Sequence, residues 1–203
     1  MSSIETALRT GPPVARGPGH PGADPADGFL AAAAAAGLLD VAYTVEDTAV
    51  GRLVLARTER GLLACSYADE ETVLERVASR VSPRVLRAPA RLDDVRRELD
   101  AYLAGRLRAF TVPVDLGLAG EFGRAVLHRT AALGYGQTTT YAELARAIGR
   151  PGAARAVGNA LGANPVCVVV PCHRVLRAGG GLGGYAGGVA VKARLLALED
   201  VGS

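Results

Sequence analysis

Apolar and polar residues alternate along the chain in two different rhythms. The segment VAYTVEDTAVGRLVLARTERGLLACSYA, from Val41 to Ala68, is rich in β-branched residues and broken by turn residues at Glu46–Asp47 and Glu59–Gly61, which predicts a small antiparallel sheet. DEETVLERVASRV then sets Val73, Leu74, Val77 and Val81 at helical spacing, and RLDDVRRELDAYLAGRL repeats the rhythm with Leu92, Val95, Leu99 and Leu103. Further on, EFGRAVLHRTAAL reads as a helix, GYGQTTT as a turn with a cap, YAELARAIG as a second helix, RPG as a break and AARAVGNALGAN as a third helix. Two helices joined by a Gly/Pro turn form a helix-turn-helix candidate. PVCVVV reads as a short buried strand, RAGGGLGGYAGG as a glycine-rich loop and VAVKARLLALED as a closing helix. Residues 1–28 carry Pro and Gly too densely for a regular element and read as a disordered tail. FLAAAAAAGLLD reads as a helix or as a tolerated alanine run. The fold class is therefore α+β, with a sheet-plus-helix domain over residues 29–115 and a mainly helical domain over residues 116–203.

Composition narrows the function. With 203 residues, 49% of them hydrophobic, the chain can bury a real core. A net charge of +3 is small, but from Leu116 onward nine Lys and Arg face four Asp and Glu, so the second domain is the basic one. Three cysteines and three histidines at no zinc-like or disulfide-like spacing predict reduced thiols, no metal and no cofactor. The start of the chain has no apolar stretch of a secretory signal, and no segment reaches the ~20 apolar residues of a membrane span. A cytoplasmic protein acting as a monomer is expected.

The chemistry concentrates in VVVPCHRV, where Cys172 and His173 are neighbours. Successive side chains diverge on either a strand or a helix, so the pair needs a third group. A thiol of ordinary pKa is only a few per cent ionised near neutral pH, so a nucleophilic Cys172 needs help. On the closing helix, Val191, Leu195, Leu196 and Leu198 share an arc and Glu199 falls inside it. Glu199 either curls out to solvent, or pairs with Lys192, or points inward, where a carboxylate needs a partner such as His173. Cys167 reads as a small buried hydrophobe. Read as a wheel, the third helix gathers Ala154, Val157, Ala160 and Leu161 on one side and Arg155, Gly158, Asn159 and Gly162 on the other. Those glycines either admit a neighbouring element or leave a slim outer face that fits a narrow groove, with Arg155 as its one long probe. Tyr185 sits among glycines that permit close approach to a flat ligand.

GYGQTTTYAELARAIGRPGAARAVGNALGANP, VVVPCHRV, GGYAGG and VKARLLALE, in this order and spacing, resemble the O6-alkylguanine-DNA alkyltransferases. The likeness is close from Leu116 to Glu199 and looser upstream through DTAVGRLVLARTERGLLACSY and ELDAYLAGRL. The resemblance implies a ribonuclease H-like first domain, a winged helix-turn-helix-like second domain, and irreversible transfer of an alkyl group from flipped O6-alkylguanine in duplex DNA to Cys172. It implies His173 as the base acting through a water, Glu199 as the carboxylate that holds it, and Asn164 as support for the active-site turn. Tyr141 would crowd the phosphate at the lesion and donate to the departing guanine. DNA contacts are expected from Arg155, Tyr141, Ala154, Gly158, Asn159 and Arg174, and a base pocket from Tyr185, Ala186, Val175 and Gly187. Ala186 departs from members that carry a hydroxyl residue there, and neither the zinc ligands nor the Cys-rich extension of some members is present. The competing readings are a non-catalytic DNA-binding module, which needs neither Cys172 nor an inward Glu199, and a Cys-His hydrolase, which normally draws its histidine from far along the chain.

Overall fold

The computed structural model describes residues 39–200, with Gly28, Ala32 and Gly37 as isolated positions upstream. The tail expected over residues 1–28 and the alanine-rich helix lie, those positions apart, outside the described residues. Four strands, β1 (Val41–Thr48), β2 (Gly51–Thr58), β3 (Gly61–Ser66) and β4 (Val85–Arg87), form one sheet in the order β3-β2-β1-β4. The sheet is mixed rather than antiparallel, because α1 (Glu70–Arg80) carries the chain across the sheet and brings β4 in parallel to β1. The first turn also falls later than Glu46–Asp47, which stay paired with Leu53 and Arg52. Gly51, at φ 110°, supplies the left-handed conformation the turn needs, and Thr48 Oγ1 braces it by accepting from Val50 N.

Alternation along the strands gives the sheet two apolar faces. Val41, Val54, Ala56 and Leu63 pack with Val73 and Val77 of α1, whose N-terminus is capped by Asp69 accepting from Thr72 N. Ala42, Leu53, Leu55 and Cys65 face the other way, toward Val95, Leu99 and Tyr102 of α2 (Asp93–Leu103). The same cluster continues into Val126, Leu144, Val157 and Leu195 of the helical half, so one core joins both halves.

That half comprises α3 (Glu121–Ala131), α4 (Tyr141–Ala147), α5 (Ala154–Gly162) and α6 (Val189–Asp200), with a two-stranded parallel ribbon of β5 (Thr139–Thr140) and β6 (Val175–Leu176). Thr140 and Glu143 form a reciprocal capping box that fixes the start of α4 and so the position of Tyr141. PVCVVV is not a strand. Only Val166 bridges a neighbour, Cys65 on the free edge of β3, and the chain then turns through Val168 at φ 71°. Cys65 N donates to Pro165 O and Cys167 N to Cys65 O, both at 2.8 Å, while Leu62 N bonds Pro113 O. The edge strand is thereby covered by the very segment that leads to Cys172, which removes an exposed edge and anchors the turn to the sheet. No described helix is long and apolar enough to cross a membrane.

Candidate active site

The turn from Asn164 to Arg174 is built around one amide. Asn164 Oδ1 accepts from Val166 N at 3.0 Å, and Nδ2 donates to Val170 O at 3.1 Å and to Cys172 Sγ at 3.2 Å. These bonds hold Val168 in the left-handed region, where a β-branched residue costs on the order of 1–3 kcal/mol. Three consecutive valines read as strand by propensity; the buried asparagine overrides them. Pro171 ends the turn, and Cys172, His173 and Arg174 form a single 3-10 turn in which all three side chains are buried.

Glu199 is the hub of the charges. Of the alternatives left open by the sequence, it takes the inward one: His173 Nε2 lies 3.0 Å from Oε1, and Arg174 reaches both oxygens with Nε at 3.1 and 2.9 Å and Oε1 with Nη2 at 2.7 Å. Tyr102 Oη donates to Oε1 at 2.5 Å, and Gly136 N to Oε2 at 3.2 Å. Burial alone would raise the Glu199 carboxyl, but the bonds from His173, Arg174 and Tyr102 outweigh it and hold the group well below the usual carboxylate range. Burial keeps His173 below the ordinary imidazole range despite Glu199, so the ring is neutral near pH 7. With Nε2 turned to Glu199, Nδ1 is left without a hydrogen-bond partner.

Lys192 does not pair with Glu199. Its side chain is fully buried and its ammonium donates to Val175 O at 2.6 Å. Around Cys172 the field is therefore one of donors and positive charge. The neighbouring Cys167 side chain is the largest influence lowering its thiol; burial opposes, and the Asn164 amide and the Lys192 charge add to the lowering. Cys167, whose own Sγ lies 3.5 Å from Asn164 O, is raised in turn and keeps its proton; burial pushes Cys65 up to about 12. One of three buried thiols is thus prepared to ionise, and it is the one that opens on a cleft.

That cleft has a volume of about 640 Å³ and is lined by Tyr141, Ala154, Arg155, Gly158, Asn159, Cys172, Tyr185 and Ala186, together with Arg177 and Gly184, which the sequence reading did not single out. A Cβ on Gly162 would meet nothing and one on Gly158 only the Tyr141 ring at 3.8 Å, so the glycines of α5 admit no neighbour and leave its outer face free. Three expected positions lie elsewhere. Arg174 is buried, its guanidinium held by Glu199 and by Leu133 O at 2.5 Å, so it is not available to a phosphate. Val175 is fully buried and offers its carbonyl to Lys192 rather than its side chain to the cleft. Gly187 stands behind the loop: a Cβ there would come within 2.8 Å of the Tyr67 ring. Tyr67, whose ring meets Tyr185 edge-on at 5.6 Å, and Tyr102 both come from the sheet half and carried no local signal. Among the described residues no group of three His, Cys, Asp or Glu could hold a metal ion.

Comparison with known proteins places this geometry in company. Residues 41–116 match the family described as 6-O-methylguanine DNA methyltransferase, ribonuclease-like domain, and residues 121–201 match its DNA binding domain. A methylated-DNA–protein-cysteine methyltransferase of Mycolicibacterium paratuberculosis is 40% identical over 159 residues, covering 78% of this chain and 92% of its own length. One from Methanosarcina acetivorans is 38% identical over 158 residues, covering 77% and 97%. The crystal structure of Mycobacterium tuberculosis OGT in complex with DNA superposes with a TM-score of 0.69 at 38% identity, covering 79% of this chain and 93% of that one.

Proposed function

The chain belongs to the 6-O-methylguanine DNA methyltransferase family, and from that premise we propose how its own residues carry out the reaction. The protein repairs DNA directly, moving the alkyl group from methylated DNA to a protein cysteine. The observation that carries the assignment of roles is the union of an ionisable Cys172 facing a base-sized cleft with a buried Glu199–His173 pair behind it. Duplex DNA lies against α4 and the open face of α5, held mostly by its phosphates. Arg155 enters the stack as O6-alkylguanine rotates out, and the unpaired lesion is the base for which unstacking costs least. The base enters the cleft under Tyr185 and the backbone beside Ala186.

His173 Nδ1, the free ring nitrogen, takes the Cys172 proton through a water, and Lys192 and Asn164 stabilise the thiolate. The thiolate attacks the alkyl carbon in line; the S–C bond forms as the C–O6 bond breaks, and the electron pair leaves with the guanine. Tyr141, whose phenol burial keeps protonated, donates to the departing ring. No group in the site can hydrolyse a thioether, so each molecule acts once, as a monomer in the cytoplasm. The boundary between the two domains falls between residues 115 and 116, with Cys172, His173, Glu199 and Tyr141 all downstream of it.

With O6-methylguanine duplex in excess, one lesion should disappear per protein molecule and the reaction should then stop. Cys172→Ala should remove none. Continued turnover, or loss of lesions with Cys172→Ala, contradicts the proposal.

A further inference from the structure

The member of the Glu199 network that comes from the other half of the molecule is Tyr102. It lies in the last turn of α2, is fully buried, and is wedged between Phe110, 5.0 Å away between ring centroids, and Tyr135, 6.2 Å away. Its hydroxyl has a single proton. At 2.5 Å from Glu199 Oε1 that proton is committed to the carboxylate, although the same oxygen sits 3.3 Å from His173 Nε2. Nε2 must then carry its own hydrogen to meet Oε1, which leaves Nδ1 as the basic nitrogen. Burial and Glu199 both push the phenol far above its ordinary range, so it remains a donor at every relevant pH.

We propose that Tyr102 is a positioning residue for alkyl transfer: from the sheet domain it fixes the Glu199 carboxylate and, through it, the tautomer and basicity of His173. The inference rests on the functional reading above. Its consequence is that the sheet half is part of the catalytic apparatus and not merely a support. The groups facing His173 are Glu199 and Lys192 from α6, Cys172 and Arg174 from its own turn, Tyr102 from α2 and Tyr185 from the glycine loop. Removing the phenolic hydroxyl leaves more charge on Oε1 for the imidazole, so His173 would titrate at a higher pH. A base that must be neutral then loses function sooner on acidification.

The test uses the full chain with Tyr102→Phe, which keeps the ring between Phe110 and Tyr135 and deletes only the donor. Single-turnover transfer to an O6-methylguanine duplex should slow roughly tenfold, the loss of one hydrogen bond to a charged group. The acid limb of its pH profile should move to higher pH, while duplex affinity is unchanged. Adding Tyr102→Phe to Glu199→Gln should slow transfer no further, because both act through one carboxylate. A wild-type rate and profile for Tyr102→Phe overturns the proposal, as does slowing without a shift of the acid limb, or equal slowing in both backgrounds. If the wild-type chain itself transfers nothing, the functional reading fails instead, so the two failures are distinct.

Discussion

The sheet and the active-site turn pack against each other through β3, yet they bury different material. On its two faces the sheet buries Val41, Leu53, Val54, Leu55 and Leu63, and the ion pairs of Arg84 with Asp40 and Arg96 with Glu46 stay near the surface. Around the turn, Asn164, His173, Arg174, Lys192 and Glu199 are all buried. Apolar burial stabilises at about 25 cal/mol per Å², whereas an ion pair taken out of water often returns less than its desolvation costs. The contrast teaches that the second region is arranged for the ionisation of Cys172, and that the first supplies the rigidity that arrangement needs.

The comparison can be broken by treating both regions alike. Arg174→Ala leaves Glu199 buried without its main counter-ion and should cost about 3–5 kcal/mol in urea unfolding. Equal losses from Arg174→Ala and Arg84→Ala would mean that the two regions do not differ as described, since a pair like Arg84–Asp40 is worth at most about 1 kcal/mol.

Acid unfolding sharpens the same contrast. The folded-state pKa of Glu199 lies below its ordinary 4.5, so protons favour the unfolded chain; the contribution is complete above that value and fades as pH falls beneath it. His173, depressed from 6.5, acts in the same direction over a window that opens earlier. Stability followed by thermal unfolding should therefore decline as pH falls below 6.5 and again below 4.5, and Glu199→Gln should flatten the second decline. A smaller effect than that of Arg174→Ala is expected of Gly187→Ala, which forces the Tyr67 ring or the loop to shift and should cost about 1–3 kcal/mol. It should slow transfer while leaving the iodoacetamide reactivity of Cys172 in free protein unaltered.

Which parts of this were legible in the sequence follows from range. For Glu199 the helical wheel left outward, Lys192-paired and inward placements open, and only the fold selects the inward one; α4 and α5 announce themselves by a cap and a Gly/Pro break. Arg174, expected at the DNA from the resemblance, is claimed by Glu199 across 25 residues of sequence, a pairing only the fold shows. The valines before Pro171 obeyed propensity on paper and the Asn164 amide in the structure. Tyr102 lies 97 residues from Glu199, and no local pattern encodes such a pairing. Cys167 is the small buried residue its sequence context predicts, and its side chain is also the first influence on the nucleophile. The fold class was readable from two rhythms; the parallel β4 was not, because a crossover leaves no mark on alternation.

The central claim is that, of three buried thiols, Cys172 alone receives the alkyl group. Peptide mass analysis after one turnover with an O6-methylguanine duplex tests it most directly. The account predicts one added methyl on the peptide containing Cys172, retained in Cys65→Ala and Cys167→Ala. A methyl on Cys167 or Cys65, or an unmodified chain after the lesion has gone, would contradict it.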